Sequence, residues 1–275
     1  MPPDPPDEAI DPPDEAIDRP NVARIYDYAI GGDANFAADR AAYEALVDLY
    51  PDAAVGAQAN RAFLRRAVTF LARQGVAQFL DIGSGLPTVG NVHEVAQAIN
   101  PKARVVYVDN DPVAVRYSRE LLAGDEAAGV AVVEADLRDP TAILAHPETG
   151  RLLSFKHPIA LLLVAVLHFI PDDDEARRAL QEITAAVPPG SYLAIAHGTL
   201  EGASEAFARF ARLYEETTRP LGFRPRAAVE GFFAGFALIE PGLVYAPAWR
   251  PDSMADPLRD EPGGAPVWAG VGRKP

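Results

Sequence analysis

The sequence contains no cysteine, two methionines and two tryptophans, and no long apolar run. Without thiols there is no disulfide, thiolate zinc site, iron-sulfur cluster or cysteine nucleophile, a composition that suits a reducing compartment. The longest uninterrupted hydrophobic stretch, Ile159 to Leu167, is nine residues long, about half of what a membrane-crossing helix needs. No membrane span is expected. The start, Met1-Pro2-Pro3-Asp4, lacks the basic residues and apolar segment of a secretory signal, so a cytoplasmic location is the expectation. Positive charge is also scarce: 25 Lys and Arg against 39 Asp and Glu give a net charge of −14, which repels a polyphosphate backbone and argues against a nucleic-acid partner. No cluster of side chains at metal-ligand spacing stands out, so no metal is expected.

What is present fits a globular chain. Its 275 residues are 49% hydrophobic and 23% charged, enough for a full-sized core and far from a disordered composition. Residues 5 to 11 read PPDEAID, and residues 12 to 18 repeat the heptad. Paired prolines and carboxylates deny this stretch both helical hydrogen bonds and an apolar stripe. Residues 1–19 are therefore expected to be a disordered acidic tail, carrying −6 of the net charge.

Residues 20–275 read as one domain, with a helical cap over 20–75 and a core over 76–275. Ala42, Leu46, Leu49 and Tyr50 share one helical face, stopped by Pro51. Ala59, Phe63, Ala67, Phe70 and Leu71 form a second stripe, with Gly75 as its terminating cap. The pattern then alternates between apolar runs and helices. Runs at 78–82, 105–108, 131–133, 159–167 and 192–196 predict five strands. Helical spacing follows at 91–99 with Asn91 and Glu94 as a capping box, from Asp111 and Pro112 to Gly124, and over 176–187. Near-continuous apolar strands joined by crossover helices call for a parallel sheet covered on both faces. The expected fold is therefore α/β, a doubly wound, mostly parallel seven-stranded sheet. Residues 236–239 and 267–271 supply its last two strands as an edge hairpin.

In such a sheet, ligands sit beyond the carboxyl ends of the strands. The first end reads Asp81-Ile82-Gly83-Ser84-Gly85, where paired glycines let backbone approach a ligand. The second ends in Asp109, 24 residues after Gly85, an acid placed to accept both hydroxyls of a ribose. The third ends at Asp136 and Leu137, where a carboxylate and a neighbouring backbone amide suit an adenine edge. Three loops thus converge on one adenosine. A dinucleotide fingerprint would place a third glycine where Thr88 stands, and no phosphate-binding P-loop occurs.

These residues resemble the class I S-adenosylmethionine-dependent methyltransferases, and among them a bacterial branch of S-adenosyl methyltransferases formerly known only as a domain of unknown function. The likeness runs from about residue 20 to 250, through NVARIYDYAIGGDANFAADR, ANRAFLRRAV, QFLDIGSGLPTVGNVHEVAQ, VVYVDNDPVAV, EADLRDP and LLLVAVLHFIPDD. It implies S-adenosylmethionine as cofactor. Asp81, Gly83, Ser84 and Gly85 would line its methionine side, Asp109 and Asn110 its ribose, and Asp136 and Leu137 its adenine. Val164 and Ala165 would flank the sulfonium. Pro87 stands where the wider superfamily carries a third glycine.

The segment from Tyr26 to Gly32 looks like a lid. Gly31 and Gly32 would be its hinge, and Tyr26 and Tyr28 its aromatic faces toward the sulfonium, against the alternative of plain packing. His168 and His197, after the fourth and fifth strands, are the weak candidates for a catalytic base, with a structural role the commoner fate. The expected activity is in-line methyl transfer to an unidentified small-molecule acceptor. A NAD-linked oxidoreductase and a non-catalytic S-adenosylmethionine-binding regulator are the alternatives.

Overall fold

The computed structural model describes residues 18–87, 90–123, 129–217 and 221–275. Most of the expected acidic tail, Thr88 of the glycine loop and the Gly124 terminator lie outside these residues.

Three helices precede the sheet: α1 (Val22–Ala29), α2 (Ala37–Leu49) and α3 (Ala53–Arg73). The sequence reading expects only the last two. Helix α1 has just eight residues, but Asn21 caps it by accepting from the amides of Ala23 and Arg24, satisfying donors that a helix start leaves open. Helix α3 ends as expected at Gly75, whose φ is +86°. The Gly75 amide donates to Ala72 O and the Val76 amide to Leu71 O, the paired bonds of a left-handed helix stop.

The sheet then alternates with helices: β1 (Gln78–Ile82), α4 (Val92–Gln97), β2 (Arg104–Asp109), α5 (Pro112–Leu121), β3 (Val130–Glu134), α6 (Pro140–Ala145), α7 (Pro147–Leu152), β4 (Ala160–Val164), α8 (Asp173–Ala185) and β5 (Tyr192–Gly198). Helices α9 (Glu205–Thr217) and α10 (Arg226–Gly231) lead into β6 (Ala237–Leu238), β7 (Val244–Tyr245) and β8 (Val267–Arg273). The order is β3-β2-β1-β4-β5-β8-β6, with β7 also paired to β8. The first five strands run parallel and the last three pair antiparallel. The doubly wound expectation holds, with eight strands for seven.

Two expectations need correction. The expected edge hairpin does form as β6 against β8, but β8 lies inside the sheet, bonded to β5 along all seven of its residues. The fourth apolar run also outlasts its strand: β4 stops at Val164, Ala165 turns to φ +60°, and Leu167–Phe169 form a single 3-10 turn. Both misreadings have one cause, since a buried apolar run looks the same in a strand, a loop packed on the core or an edge made interior by its neighbours.

Burial follows the two faces of the sheet. Phe63, Leu71, Phe79, Val105, Leu162 and Trp249 lie on one side, and Leu80, Ile82, Val106, Leu161, Ile183 and Ile195 on the other. Among the described residues no helix is long and apolar enough to cross a membrane. The loop after β7 is fixed to α3 by a buried guanidinium. Arg66, 3% exposed, donates to Trp249 O at 2.9 Å and Ala246 O at 2.8 Å, and pairs with Asp256 at 3.0 Å. Removing it takes a buried donor from two carbonyls and leaves Arg65, at 3.2 Å, as the partner of Asp256. Arg66→Ala is therefore expected to lower the unfolding free energy by about 2–4 kcal/mol, read by urea denaturation; a loss below about 1 kcal/mol would show that the clasp carries no weight.

Candidate functional site

The order of the sheet reverses between β1 and β4, and the crevice at that switch, beyond the carboxyl ends, is where an α/β sheet can hold a ligand. Here the two strands approach closely. Gly83, at φ +71°, has Val166 so near that an added Cβ would stand 2.3 Å from Val166 Cγ2. No other residue fits that backbone and that distance. The amides of Gly83 and Ser84 both donate to Val108 O, at 2.8 and 3.1 Å, so the glycine loop is hung on β2. At the facing end of β4, Ala165 holds an unusual left-handed conformation, costing on the order of 1 kcal/mol and typical of strand ends shaped around a ligand.

Asp109 ties the loop to the next helix. Its Oδ2 accepts from the Gly85 amide at 2.8 Å and its Oδ1 from the Asp111 amide at 3.0 Å. The Asn110 amide also acts on this carboxylate, which leaves one of its four acceptor positions for a further donor. Desolvation by burial raises the Asp109 pKa, partly offset by these amides. Asp111 is a helix cap, accepting from Val113 and Ala114 at 2.8 and 3.0 Å. It also accepts from the Asn21 side chain, and Ala23 lies against Gly85, so α1 is seated directly on the glycine loop.

Asp81 differs from both. It is 4% exposed and no hydrogen bond reaches its carboxylate among the described residues. Burial pushes its pKa up to about 7, against a partial counterweight from Arg61. A buried acid without partners costs free energy unless something complementary is to sit beside it. Next along the rim, Asn110 donates to Asp136 at 2.9 Å. Arg138 occupies the rest of that carboxylate through its backbone amide and guanidinium, holding the Asp136 pKa down to about 2. All four acceptor positions of Asp136 are thus filled, while the Leu137 amide is bonded to no backbone carbonyl.

The lid residues have static contacts. Tyr28 packs edge-on against Tyr43 of α2 at 5.2 Å. The Tyr26 hydroxyl donates to Ala57 O at 3.1 Å and accepts from Asn60 at 3.0 Å. Gly31 and Gly32 close α1 by donating to Tyr28 O and Asp27 O. Gly32 also lies so close to Asp27 that a Cβ would stand 1.9 Å from its carboxylate. In this conformation the two glycines serve as a tight helix stop. Arg24, 2% exposed, pairs with the fully buried Asp39 of α2 at 2.7 Å. Sequence reading passed over Asn21, Asp27, Asn60 and Arg61, although all four fall within the quoted motifs.

Both histidines sit on a hub formed by Arg224. This guanidinium, 3% exposed, bonds Asp173, Leu167 O and Ile170 O, and lies 3.0 Å from His197 Nε2. Because arginine only donates, His197 accepts at Nε2 and donates from Nδ1 to Gly198 O at 2.8 Å. Both lone-pair and proton positions are used, which leaves His197 nothing with which to take a substrate proton. His168 accepts weakly from the Gly198 amide at 3.4 Å. Burial, with His197 and Arg224 nearby, lowers its pKa to about 3, so it is neutral at physiological pH and a poor base. His93, on α4, bonds the Tyr107 hydroxyl at 2.8 Å. A cavity of about 200 Å³ lies where α3 meets the chain after the glycine loop, lined by Ile30, Gln58, Arg61, Ala62, Arg65 and Gly90.

Glycines that admit backbone and acids at the ends of β1 and β2 thus line the switch point of an α/β sheet. The model of the S-adenosyl methyltransferase family matches residues 9–275, and the chain belongs to that family. It is similar to a DUF574 family protein from Streptomyces avermitilis MA-4680, at 42% identity over 94% of this chain and 99% of that one, with a TM-score of 0.88. A protein from Thermobifida fusca YX, described as a candidate methyltransferase, matches at 42% identity over 97% and 99% of the two chains, also at 0.88. An O-methyltransferase family protein from Burkholderia thailandensis shares the fold at 19% identity, over 82% of this chain and 60% of that one, with a TM-score of 0.51. No protein of curated function matches.

The raised pKa of Asp81 fixes a sign. Its protonated form is favoured in the folded state, so its contribution to stability is complete below about pH 4 and is lost as pH rises to about 7. Asp81→Asn should match the parent near pH 4 and exceed it at pH 8 by on the order of 1–3 kcal/mol, measured by chemical denaturation across pH. Equal stabilities at pH 8 would mean that the carboxylate is not buried unpaired.

Proposed function

We propose that this protein binds S-adenosylmethionine in the β1–β4 crevice and transfers its methyl group to a small-molecule acceptor. The observation that carries the reading is Asp109, which braces the glycine loop through the Gly85 amide and, with three backbone amides on its carboxylate, keeps an acceptor position for a ligand. A ribose hydroxyl is a donor that such a position suits.

The residues present fit the cofactor. Asp81 is a buried acid in want of a cation, and the α-ammonium of the methionine end supplies one. Gly83 leaves backbone exposed where a Cβ would collide with Val166, beside the sulfonium position assigned to Val164 and Ala165. The rim formed by Asn110, Asp136 and Leu137 accommodates the adenine. With Arg138 on Asp136, the Leu137 amide is the readier partner for a ring nitrogen, and Arg138 must turn aside if Asp136 is to accept the exocyclic amine.

When bound, the cofactor supplies an electrophilic methyl group on sulfur. The chain's task is alignment and exclusion of water. Helix α1, resting on Gly85 and bonded to Asp111, closes one side. The loop from Ala165 to Pro171, held by Arg224, closes the other. Neither histidine is suited to remove a proton from the acceptor. Nothing in the site favours NAD-linked chemistry or a purely regulatory binder.

Calorimetry with S-adenosylmethionine and S-adenosylhomocysteine tests the reading. Both should bind, and NAD should not. Asp109→Ala should weaken S-adenosylhomocysteine by roughly 10- to 100-fold, the worth of hydrogen bonds to a charged acceptor; full affinity in that variant would remove Asp109 from the site. In cell extract, label from the cofactor methyl should pass to a metabolite, and binding without any transfer would leave a non-catalytic role. Gly83→Ala should abolish binding and destabilise the fold by about 2 kcal/mol or more, from strain at positive φ combined with overpacking, read by thermal melting beside calorimetry.

A further inference from the structure

Asn60 lies on α3, which turns into β1 within four residues and therefore runs antiparallel to it. Its amino-terminal half accordingly lies over the carboxyl ends of the strands. The neighbouring Arg61 acts electrostatically on Asp81 and on Tyr26, which places this turn of α3 beside the unpartnered acid. Asn60 is itself 5% exposed, and its Oδ1 is buried with no hydrogen-bond partner.

The stranded group cannot be removed by redrawing the amide. The Tyr26 hydroxyl has one proton, and Ala57 O lies 3.1 Å from it. With the proton there, the hydroxyl accepts from Asn60 Nδ2 at 3.0 Å and Oδ1 is turned away. Exchanging the amide nitrogen and oxygen makes Asn60 compete with Ala57 O for that single proton and strands the NH₂ instead. Either way one strong hydrogen-bonding group on Asn60 stays unmet inside the protein, a cost of about 1–3 kcal/mol if nothing ever meets it.

We propose that Asn60 is a cofactor-binding residue contributed by the helical cap: its unmatched amide oxygen accepts from the ammonium of the cofactor's amino-acid end. This rests on the reading of the crevice as the S-adenosylmethionine site and adds to it a contact from outside the sheet. The same amide bonds Tyr26 on α1, so the group that grips the ligand also holds the lid helix. Occupancy of the amino-acid end and the seating of α1 are thereby linked through one side chain.

The test compares two ligands on the full-length chain by calorimetry: S-adenosylhomocysteine, and 5′-methylthioadenosine, which keeps the nucleoside and thioether but has no amino-acid end. Asn60→Ala should weaken S-adenosylhomocysteine by about 10- to 100-fold while leaving methylthioadenosine within about twofold of the parent. Asn60→Asp, which keeps an acceptor oxygen and the side-chain shape, should retain the preference for S-adenosylhomocysteine. Parallel losses for both ligands would reduce Asn60 to a packing role, and unchanged S-adenosylhomocysteine affinity in the alanine variant would remove it from the site; either overturns the proposal. If the alanine variant does not fold, as thermal melting would report, the aspartate variant decides, and loss of the preference overturns the proposal. A parent protein that binds neither ligand would instead overturn the assignment of the crevice, a distinguishable result.

Discussion

The bond between the Gly85 amide and the Asp109 carboxylate is the contact on which the site depends. It fixes the loop after β1 relative to the end of β2, and through the Asp111 amide on the other oxygen it sets the start of α5. Asp111 in turn receives Asn21 and so locates α1. One carboxylate therefore positions the glycine loop, the helix behind it and, through Asp111, helix α1. Because the backbone amides leave part of its acceptor capacity unused, the same group is still available to a ligand. The bracing amides also offset part of the desolvation that burial imposes, so a charge can persist where apolar surroundings alone would neutralise it.

Parts of this arrangement were legible in the sequence because they are local. Asp111-Pro112 as a helix start, Gly75 as a helix stop and the apolar runs of β1, β2 and β5 each depend on residues within one or two turns of the chain. The same holds for Gly83, Gly85 and Asp109, whose roles follow from being at strand ends. What escaped depends on partners far away in sequence. Arg224 and His197 are 27 residues apart, and Arg66 and Asp256 are 190 apart. No periodicity announces such pairs. Helix α1 was missed for a different reason: eight residues provide two turns, and four of them, Arg24, Tyr26, Asp27 and Tyr28, owe their placement to α2, α3 or the Gly32 backbone rather than to an apolar stripe.

The cap and the sheet are held by different physics. Residues such as Phe79, Leu80, Val105 and Leu161 are fully buried among apolar neighbours, and their burial is non-directional and insensitive to small displacements. The contacts of α1 are directional and polar: Arg24 on Asp39, Tyr26 on Ala57 and Asn60, Asn21 on Asp111. Such contacts exchange readily for water when an element lifts, since each contributes only about 0.5–1.5 kcal/mol net. The cap helix is thus placed by directed polar bonds, and the sheet by apolar burial.

Three uncompensated features gather where these two regimes meet. Asp81 without a partner, the unmet amide of Asn60 and the left-handed Ala165 all fall at the strand ends or on the helix turn above them. The guanidinium hubs at Arg66 and Arg224, by contrast, are surrounded by acceptors. Other buried polar atoms also lack hydrogen-bond partners, on Arg116, Thr149 and both tryptophans among them, so it is the chemistry of these three and not their rarity that points to a ligand. An acid and an amide oxygen suit a ligand bearing a cation, and the stability forfeited there is carried by the apolar sheet beneath.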